Sequence, residues 1–214
     1  MRATLAWMRA WLAGLLVGGI LFLIAGQWVI AGVTYALPQM EAGFTRVFLK
    51  NLLASLSTIY FGLVLCYLEL KVYTRVSAET YAFLERLTEP LYKLLGKWYS
   101  AFAELRPFYR SCLFYLLFVP NLSLFVNGLA PGFLILLQPK LLLPHGILEV
   151  PAMLASAKIA FSIKVEMEDP IRRADLGLLR ERMMVGVGRR RLIHVAVIQL
   201  LLLMAAYVEV NYAF

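Results

Sequence analysis

Charged residues are scarce in this chain of 214 residues: they make up 16%, whereas hydrophobic residues make up 62% and the mean hydropathy is +0.76. Soluble domains contain about 25% charged and about 45–50% apolar residues. The only two cysteines, Cys66 and Cys112, lie inside apolar runs, which excludes a disulfide framework. This strongly apolar composition also excludes a disordered chain and predicts an integral membrane protein.

Long stretches contain no charge at all. Residues 10–40 form one such run, and a bilayer core needs only about 20 residues of helix. We therefore expect an all-α, polytopic bundle in a single membrane domain covering 1–214. The predicted spans are residues 10–36, 51–68, 111–130, 141–163 and 192–208. The first run is too long for a secretory signal and lacks a good cleavage site, which favours an uncleaved anchor.

The third run is interrupted by turn-forming residues. Pro120-Asn121, Asn127-Gly128 and Pro131-Gly132 all lie within it. Proline removes a helix hydrogen bond, and backbone freed at membrane depth must be covered by protein or by a water-filled cavity. The sequence therefore predicts a kinked third span followed by a tight loop.

The distribution of Lys and Arg predicts the orientation. With the N-terminus inside, 17 of the 21 basic residues lie on the cytoplasmic side and three lie on the other. We expect a multi-pass protein of the cytoplasmic (inner) membrane with its C-terminus outside. This distribution explains the net charge of +8 without nucleic acid. Arg189, Arg190 and Arg191 precede the last span and are candidates for contact with anionic lipids.

Two cytoplasmic segments are predicted to be helical, at 77–106 and 169–191. In the first, apolar residues recur at close to seven-residue spacing from Leu84 to Leu105, and Ser77 is a candidate cap. Such helices either dock a partner or dimerise, or they lie on the bilayer or their own bundle. The second segment begins at Asp169-Pro170, a candidate N-cap and first turn, and Gly186 and Gly188 are a candidate hinge near its end.

One polar face stands out in the fourth predicted span. His145 and Glu149 are four residues apart and share one side of a helix, whereas Lys158 points nearly the opposite way. The small residues on the same side are Ala152, Ser156 and Ala160. Small residues let helix backbones approach and polar groups need partners, so this face is typical of tight helix packing. We call His145, Glu149 and the three small residues the polar stripe.

Three interpretations of His145 and Glu149 remain open from the sequence. They form a structural hydrogen bond, a proton or ion relay, or part of a metal or hydrolytic site. His194, the other histidine, lies at a different depth. The sequence contains no G-x-S-x-G, H-E-x-x-H, Walker or G-x-G-x-x-G motif, so neither a cofactor nor a metal is expected.

The run Pro144-His145-Gly146-Ile147-Leu148-Glu149 resembles the stage II sporulation protein M family of bacterial and archaeal membrane proteins. The family's H-G-x-x-E element corresponds to His145, Gly146 and Glu149, and its N-G-x-x-x-G element to Asn127, Gly128 and Gly132. Asn51, with Phe48 before it, is similar to a further family feature. The resemblance implies a membrane subunit that assembles with other proteins; in spore-formers these partners degrade peptidoglycan.

From these patterns we expect a non-enzymatic membrane subunit that associates with itself or with other membrane proteins. A channel or transporter subunit that passes ions or protons at Glu149 and His145 is the second hypothesis. An intramembrane hydrolase is the third.

Overall fold

A computed structural model describes residues 8–24, 43–83, 86, 90, 105–137, 143–185 and 189–212. These residues contain helices and no strand, which confirms the all-α class. The main helices are α1 (Met8–Ile24), α2 (Phe44–Arg75), α3 (Pro107–Leu137), α4 (Leu143–Arg172), α5 (Leu176–Val185) and α6 (Arg189–Tyr212). A short helical segment, residues 78–83, follows α2, and the Ser77 hydroxyl accepts the Thr80 amide at 3.3 Å as the predicted cap.

Three of the described helices are long and apolar enough to cross a membrane: Phe44–Arg75, Pro107–Leu129 and Arg191–Val208. Large apolar side chains on these helices are exposed, as expected for a lipid-facing surface; Leu53, for example, is 63% exposed. Helix α1 is apolar but has only 17 described residues. Helix α4 is 30 residues long but carries Glu149, Lys158 and Lys164. The structure thus shows three candidate spans, and five spans stay a prediction.

The third predicted span is not broken at its turn-forming residues, and the loop expected after it falls at residues 138–142, outside the described part of the chain. Helix α3 runs without interruption from Pro107 to Leu137, through both of its internal prolines. Two side-chain amides donate back to their own helix, from Asn121 to the Leu117 carbonyl at 2.8 Å and from Asn127 to the Ser123 carbonyl at 2.7 Å. In an apolar environment an unpaired backbone group costs more than a poor helix former does, so the helix continues.

The predicted helix start at Asp169-Pro170 is also wrong. Both residues lie in the last turn of α4, where Asp169 pairs with Arg173 at 2.8 Å. The chain turns at Ala174, which has a positive φ of 53°. Asp175 then accepts the Leu178 amide at 2.9 Å and is the N-cap of α5. The true cap is thus the next aspartate along the chain, because the packing face of α4 extends to Ile171.

Helix α4 packs against α2, α3, α5 and α6. The largest buried cluster joins α2, α3 and the last turns of α4, with Cys66, Leu113, Met167 and Ile171 fully enclosed. Five residues of α2, Ser57–Phe61, form a π-helical turn. The helix contacts α6 before this turn and α3 after it.

Some predictions fall outside the described residues. These are the part of the first predicted span at 25–36, most of the segment 84–104, the hinge at Gly186 and Gly188, and the side chains of His145, Arg189 and Arg190.

Candidate functional site

Helices α1 and α3 touch through glycines. A Cβ atom on Gly128 would overlap the Trp11 carbonyl oxygen, and one on Gly132 would overlap the Leu15 carbonyl oxygen. From the other side, a Cβ on Gly14 would overlap the Phe125 carbonyl oxygen. The backbones are therefore in direct contact, which only glycine allows. We call Gly14, Gly128 and Gly132 the glycine contact; it gives the N-G-x-x-x-G element a structural role.

A chain of hydrogen bonds joins α6, α2 and α4 at the buried centre. The Ser156 hydroxyl donates to the Ala152 carbonyl at 2.9 Å, so its oxygen must accept from the Ser55 hydroxyl, which is also 2.9 Å away. Ser55 in turn accepts from the Gln199 amide nitrogen at 3.1 Å. With Ser156 donating to its own helix, this first hydrogen-bond chain runs from Gln199 through Ser55 and Ser156 to a backbone carbonyl of α4.

A second hydrogen-bond chain joins α3 to α2. The Thr58 hydroxyl donates to the Ala54 carbonyl at 2.8 Å, so it accepts from the Ser123 hydroxyl. The Asn127 amide nitrogen lies 3.4 Å from the Ser123 oxygen and 2.7 Å from the Ser123 carbonyl. This chain also begins at a side-chain amide and ends at a backbone carbonyl.

The two hydrogen-bond chains meet α2 at or next to its π-helical turn. Ser55 precedes the turn and faces α4 and α6, whereas Thr58 lies within it and faces α3. A π-helical turn inserts one residue into a helix and rotates the residues after it, and such turns are frequent at functional positions. Here the turn allows one helix to form hydrogen bonds with neighbours on different sides.

The polar stripe is buried over most of its length. Ala152 and Ser156 are fully enclosed and Ala160 is 3% exposed, whereas Lys158 is exposed on the other side. Ala152 packs in one cluster with Ile198 and Leu202 of α6. Ala152 thus lies in the contact between α4 and α6, whereas Ser156 bonds to Ser55 of α2.

The end of the polar stripe that contains Glu149 is less buried than the rest. Glu149 and Gly146 are half-buried, and a Cβ on Gly146 would meet no atom within 4 Å. His145 lies one turn before Glu149 in the same helix. On α2, the candidate Asn51 is buried in line with Ser55. No cluster of three or more His, Cys, Asp or Glu able to hold a metal occurs among the residues that the structure describes.

Ion pairs connect the polar ends of α4 and α6. Arg191 bonds to Glu166, which ties the first turns of α6 to α4. Further along α4, Glu168 accepts from Lys164 and from Arg172. Burial raises the pKa of the Glu168 carboxyl, but these two cations outweigh it and leave the pKa below its ordinary value of 4.5. Of the three arginines proposed to contact lipid, Arg191 is therefore also a structural residue.

Sequence reasoning missed the residues that carry most of these contacts. They are Gly14, Ser55, Thr58, Ser123 and Gln199. Each is a small or polar residue in an otherwise apolar run, and Ser55 follows Asn51 by one helical turn. The four-residue spacing that identified the polar stripe would also have identified Asn51 and Ser55 on α2.

Together, the apolar helices and the buried polar contacts between them define an α-helical membrane protein. Residues 109–213, which include almost all of α3 and the whole of α4 to α6, match the family model described as Stage II sporulation protein M. Over these matched residues the chain belongs to the stage II sporulation protein M family. A search of curated proteins and a search of solved structures each give no match.

Proposed function

We propose that this protein is a non-enzymatic subunit of a membrane complex, which assembles with itself or with other membrane proteins. Membership of the stage II sporulation protein M family supports a membrane protein, and the internal contacts support a scaffold. The proposal includes five spans in the cytoplasmic membrane, with the N-terminus inside, because the Lys and Arg distribution favours that arrangement.

The observation that carries the proposal is the direction of the two hydrogen-bond chains. Ser156 and Thr58 both donate their only hydroxyl hydrogen to a backbone carbonyl of their own helix. A backbone carbonyl does not pass a proton on, so each chain ends there. Polar groups arranged in this way hold helices together, whereas a relay needs a group at each end that can both accept and release a proton.

A bundle joined at its centre leaves its outer surfaces for contact with other proteins. The half-buried Glu149 lies at the open end of the polar stripe, so it is the position at which a partner is expected to meet this face. Charged groups within a membrane segment are rare and mark functional positions.

Mild solubilisation after chemical crosslinking tests the proposal directly. A tagged full-length protein is crosslinked in its native membrane, purified in a gentle detergent, and sized by light scattering together with mass spectrometry of bound proteins. We expect a defined homo-oligomer or a stoichiometric partner. A monomer without crosslinked species contradicts the proposal.

Glu149→Gln separates the scaffold from its alternatives, because it keeps the shape of the side chain and removes its charge. If the protein is a scaffold, Glu149→Gln should change its assembly, and no transport activity should be lost because the wild type has none. A channel would lose pH-dependent flux in proteoliposomes, and a hydrolase would lose turnover. Glu181→Gln, an exposed carboxyl on α5, is the matched control. If wild-type protein drives proton flux that Glu149→Gln abolishes, the scaffold proposal is wrong.

A further inference from the structure

A cavity of about 450 Å³ lies where α2 ends and α3 begins. Its wall is formed by residues from both helix ends and from the short segment 78–83. The main lining residues are Tyr73, Val76, Tyr81, Arg106, Pro107 and Phe108. The volume falls within the range of about 300–1,000 Å³ that is usual for small-molecule sites.

We call this cavity the interfacial cavity. Its wall consists largely of aromatic rings that are held in place by contacts with one another. The Tyr73 ring stacks on Phe108 with centroids 4.6 Å apart and meets Tyr81 edge to face at 5.1 Å. The Tyr81 hydroxyl donates to a Glu69 carboxylate oxygen at 2.7 Å, which holds that ring in place. Tyr81 and Phe108 are buried. The cavity is therefore preformed and largely apolar inside.

Arg106 is the one charged residue among the described residues that line the cavity. Arg106 is an exposed lining residue, and Arg75 at the end of α2 is exposed beside Val76. Glu69, which accepts a hydrogen bond from Tyr81, and Glu79, which is exposed on the short segment, are not among the described lining residues. An occupant with a negative head and an apolar body complements this arrangement.

The cavity lies at the ends of two candidate spans. Because it lies where α2 ends and α3 begins, we expect it at the polar surface layer of the bilayer. Tyrosine rings are enriched at this level because one end is apolar and the other polar. The molecules present here at high concentration are lipids.

We propose that the interfacial cavity binds one anionic phospholipid, with its phosphate against Arg106 and the first part of an acyl chain against Tyr73 and Phe108. This site is separate from Arg189–Arg191 and does not depend on the scaffold proposal. It binds the lipid of whichever leaflet meets these helix ends. Lipid retained there ties α2, α3 and the segment 78–83 together.

Native mass spectrometry of the full-length protein tests this. Protein is extracted from nanodiscs that contain phosphatidylglycerol and phosphatidylcholine, and the bound lipid is counted. Arg106→Gln removes the cation, and Ala82→Trp fills the cavity without a change of charge, since Ala82 lines it and is exposed. Arg46→Gln is the control, because Arg46 is an exposed basic residue at the opposite end of α2.

We expect wild-type protein and Arg46→Gln to retain one phosphatidylglycerol in preference to phosphatidylcholine. Arg106→Gln should weaken retention about fivefold, as expected for one basic residue near an anionic lipid. Ala82→Trp should weaken it at least as much. Equal losses with Arg106→Gln and Arg46→Gln would mean general surface attraction and overturn the proposal. So would full retention by Ala82→Trp, or displacement of the lipid by excess inorganic phosphate alone.

Discussion

Ser55 and Ser156 are 101 residues apart in the sequence and share a 2.9 Å hydrogen bond at the buried centre of the bundle. The bond joins α2 to α4, and Gln199 extends it to α6. Because lipid tails are as apolar as a protein core, helices in a membrane gain little from hydrophobic contact with each other, and polar contacts and close packing decide their arrangement. This serine pair is therefore a specific determinant of the fold.

A double-mutant cycle on the serine pair should show coupling. Ser156→Ala leaves the Ser55 hydroxyl without its acceptor, and we expect a loss of about 1 kcal/mol in the free energy of unfolding. The double variant Ser55→Ala/Ser156→Ala should lose less than the sum, with a coupling of about 0.6 kcal/mol, the average for hydrogen bonds between membrane helices. Unfolding in a denaturant series in mixed micelles measures these values.

Ser162→Ala is the control for this cycle. Its hydroxyl donates to the Ile159 carbonyl of its own helix. When Ser162→Ala is combined with Ser55→Ala, the losses in the free energy of unfolding should be additive. Coupling of the same size in this control pair would refute a specific role for Ser156.

Alanine at Gly128 should weaken the attachment of α1. The added Cβ would overlap the Trp11 carbonyl, and overpacking of this kind costs about 1–3 kcal/mol. The α1–α3 contact should also open, which is measured by the yield of crosslinks between cysteines introduced on the two helices. Gly146→Ala is the matched control, because its Cβ meets nothing within 4 Å and alanine is the better helix former by up to about 1 kcal/mol. Equal loss of crosslinks in both variants would argue against the glycine contact.

Exchange of the charges of Arg191 and Glu166 should restore stability that either single change removes. Arg191→Glu places two carboxylates together, and we expect a lower melting temperature and a loss of about 1 kcal/mol. The double variant Arg191→Glu/Glu166→Arg should recover most of the lost stability. Asp169 and Arg173 form an exposed pair within α4, and the same exchange there should change little.

The Glu168 carboxyl should make stability depend on pH in the acidic range. Its position lies beyond the predicted fourth span, and its pKa in the folded protein is lower than the ordinary 4.5. The stabilisation is therefore complete above pH 4.5 and is lost as the pH falls through the folded-state pKa. The melting temperatures of wild type and Glu168→Gln should differ at pH 7 and converge as the pH falls below the folded-state pKa of Glu168. Glu181→Gln, which removes an exposed charge, should show no such convergence.

The helical class and the burial of α4 could be predicted because charge-free runs and four-residue spacing are local properties of the sequence. Ala152 and Ser156 share one side of a helix whatever their neighbours are. The partners of that side could not be predicted in this way, since Ser55 and Gln199 lie on other helices and reach it only through the packing of the whole bundle.

Errors occurred where local propensity opposed the environment. Pro120 and Pro131 indicate a break in water, yet α3 continues because exposed backbone is costly in an apolar medium. Asp169 and Asp175 are both acceptable helix caps by sequence, and only the extent of the packing face of α4 selects the second. In each case a tertiary constraint outweighed a preference of about 1–3 kcal/mol.

The glycine contact has a consequence for the order of assembly during synthesis. Gly14 is translated 114 residues before Gly128, so α1 is synthesised well before the helix that it packs against. Until α3 is synthesised, the glycine surface of α1 lacks this partner. The α1–α3 contact can therefore form only after the whole of α2 has been translated.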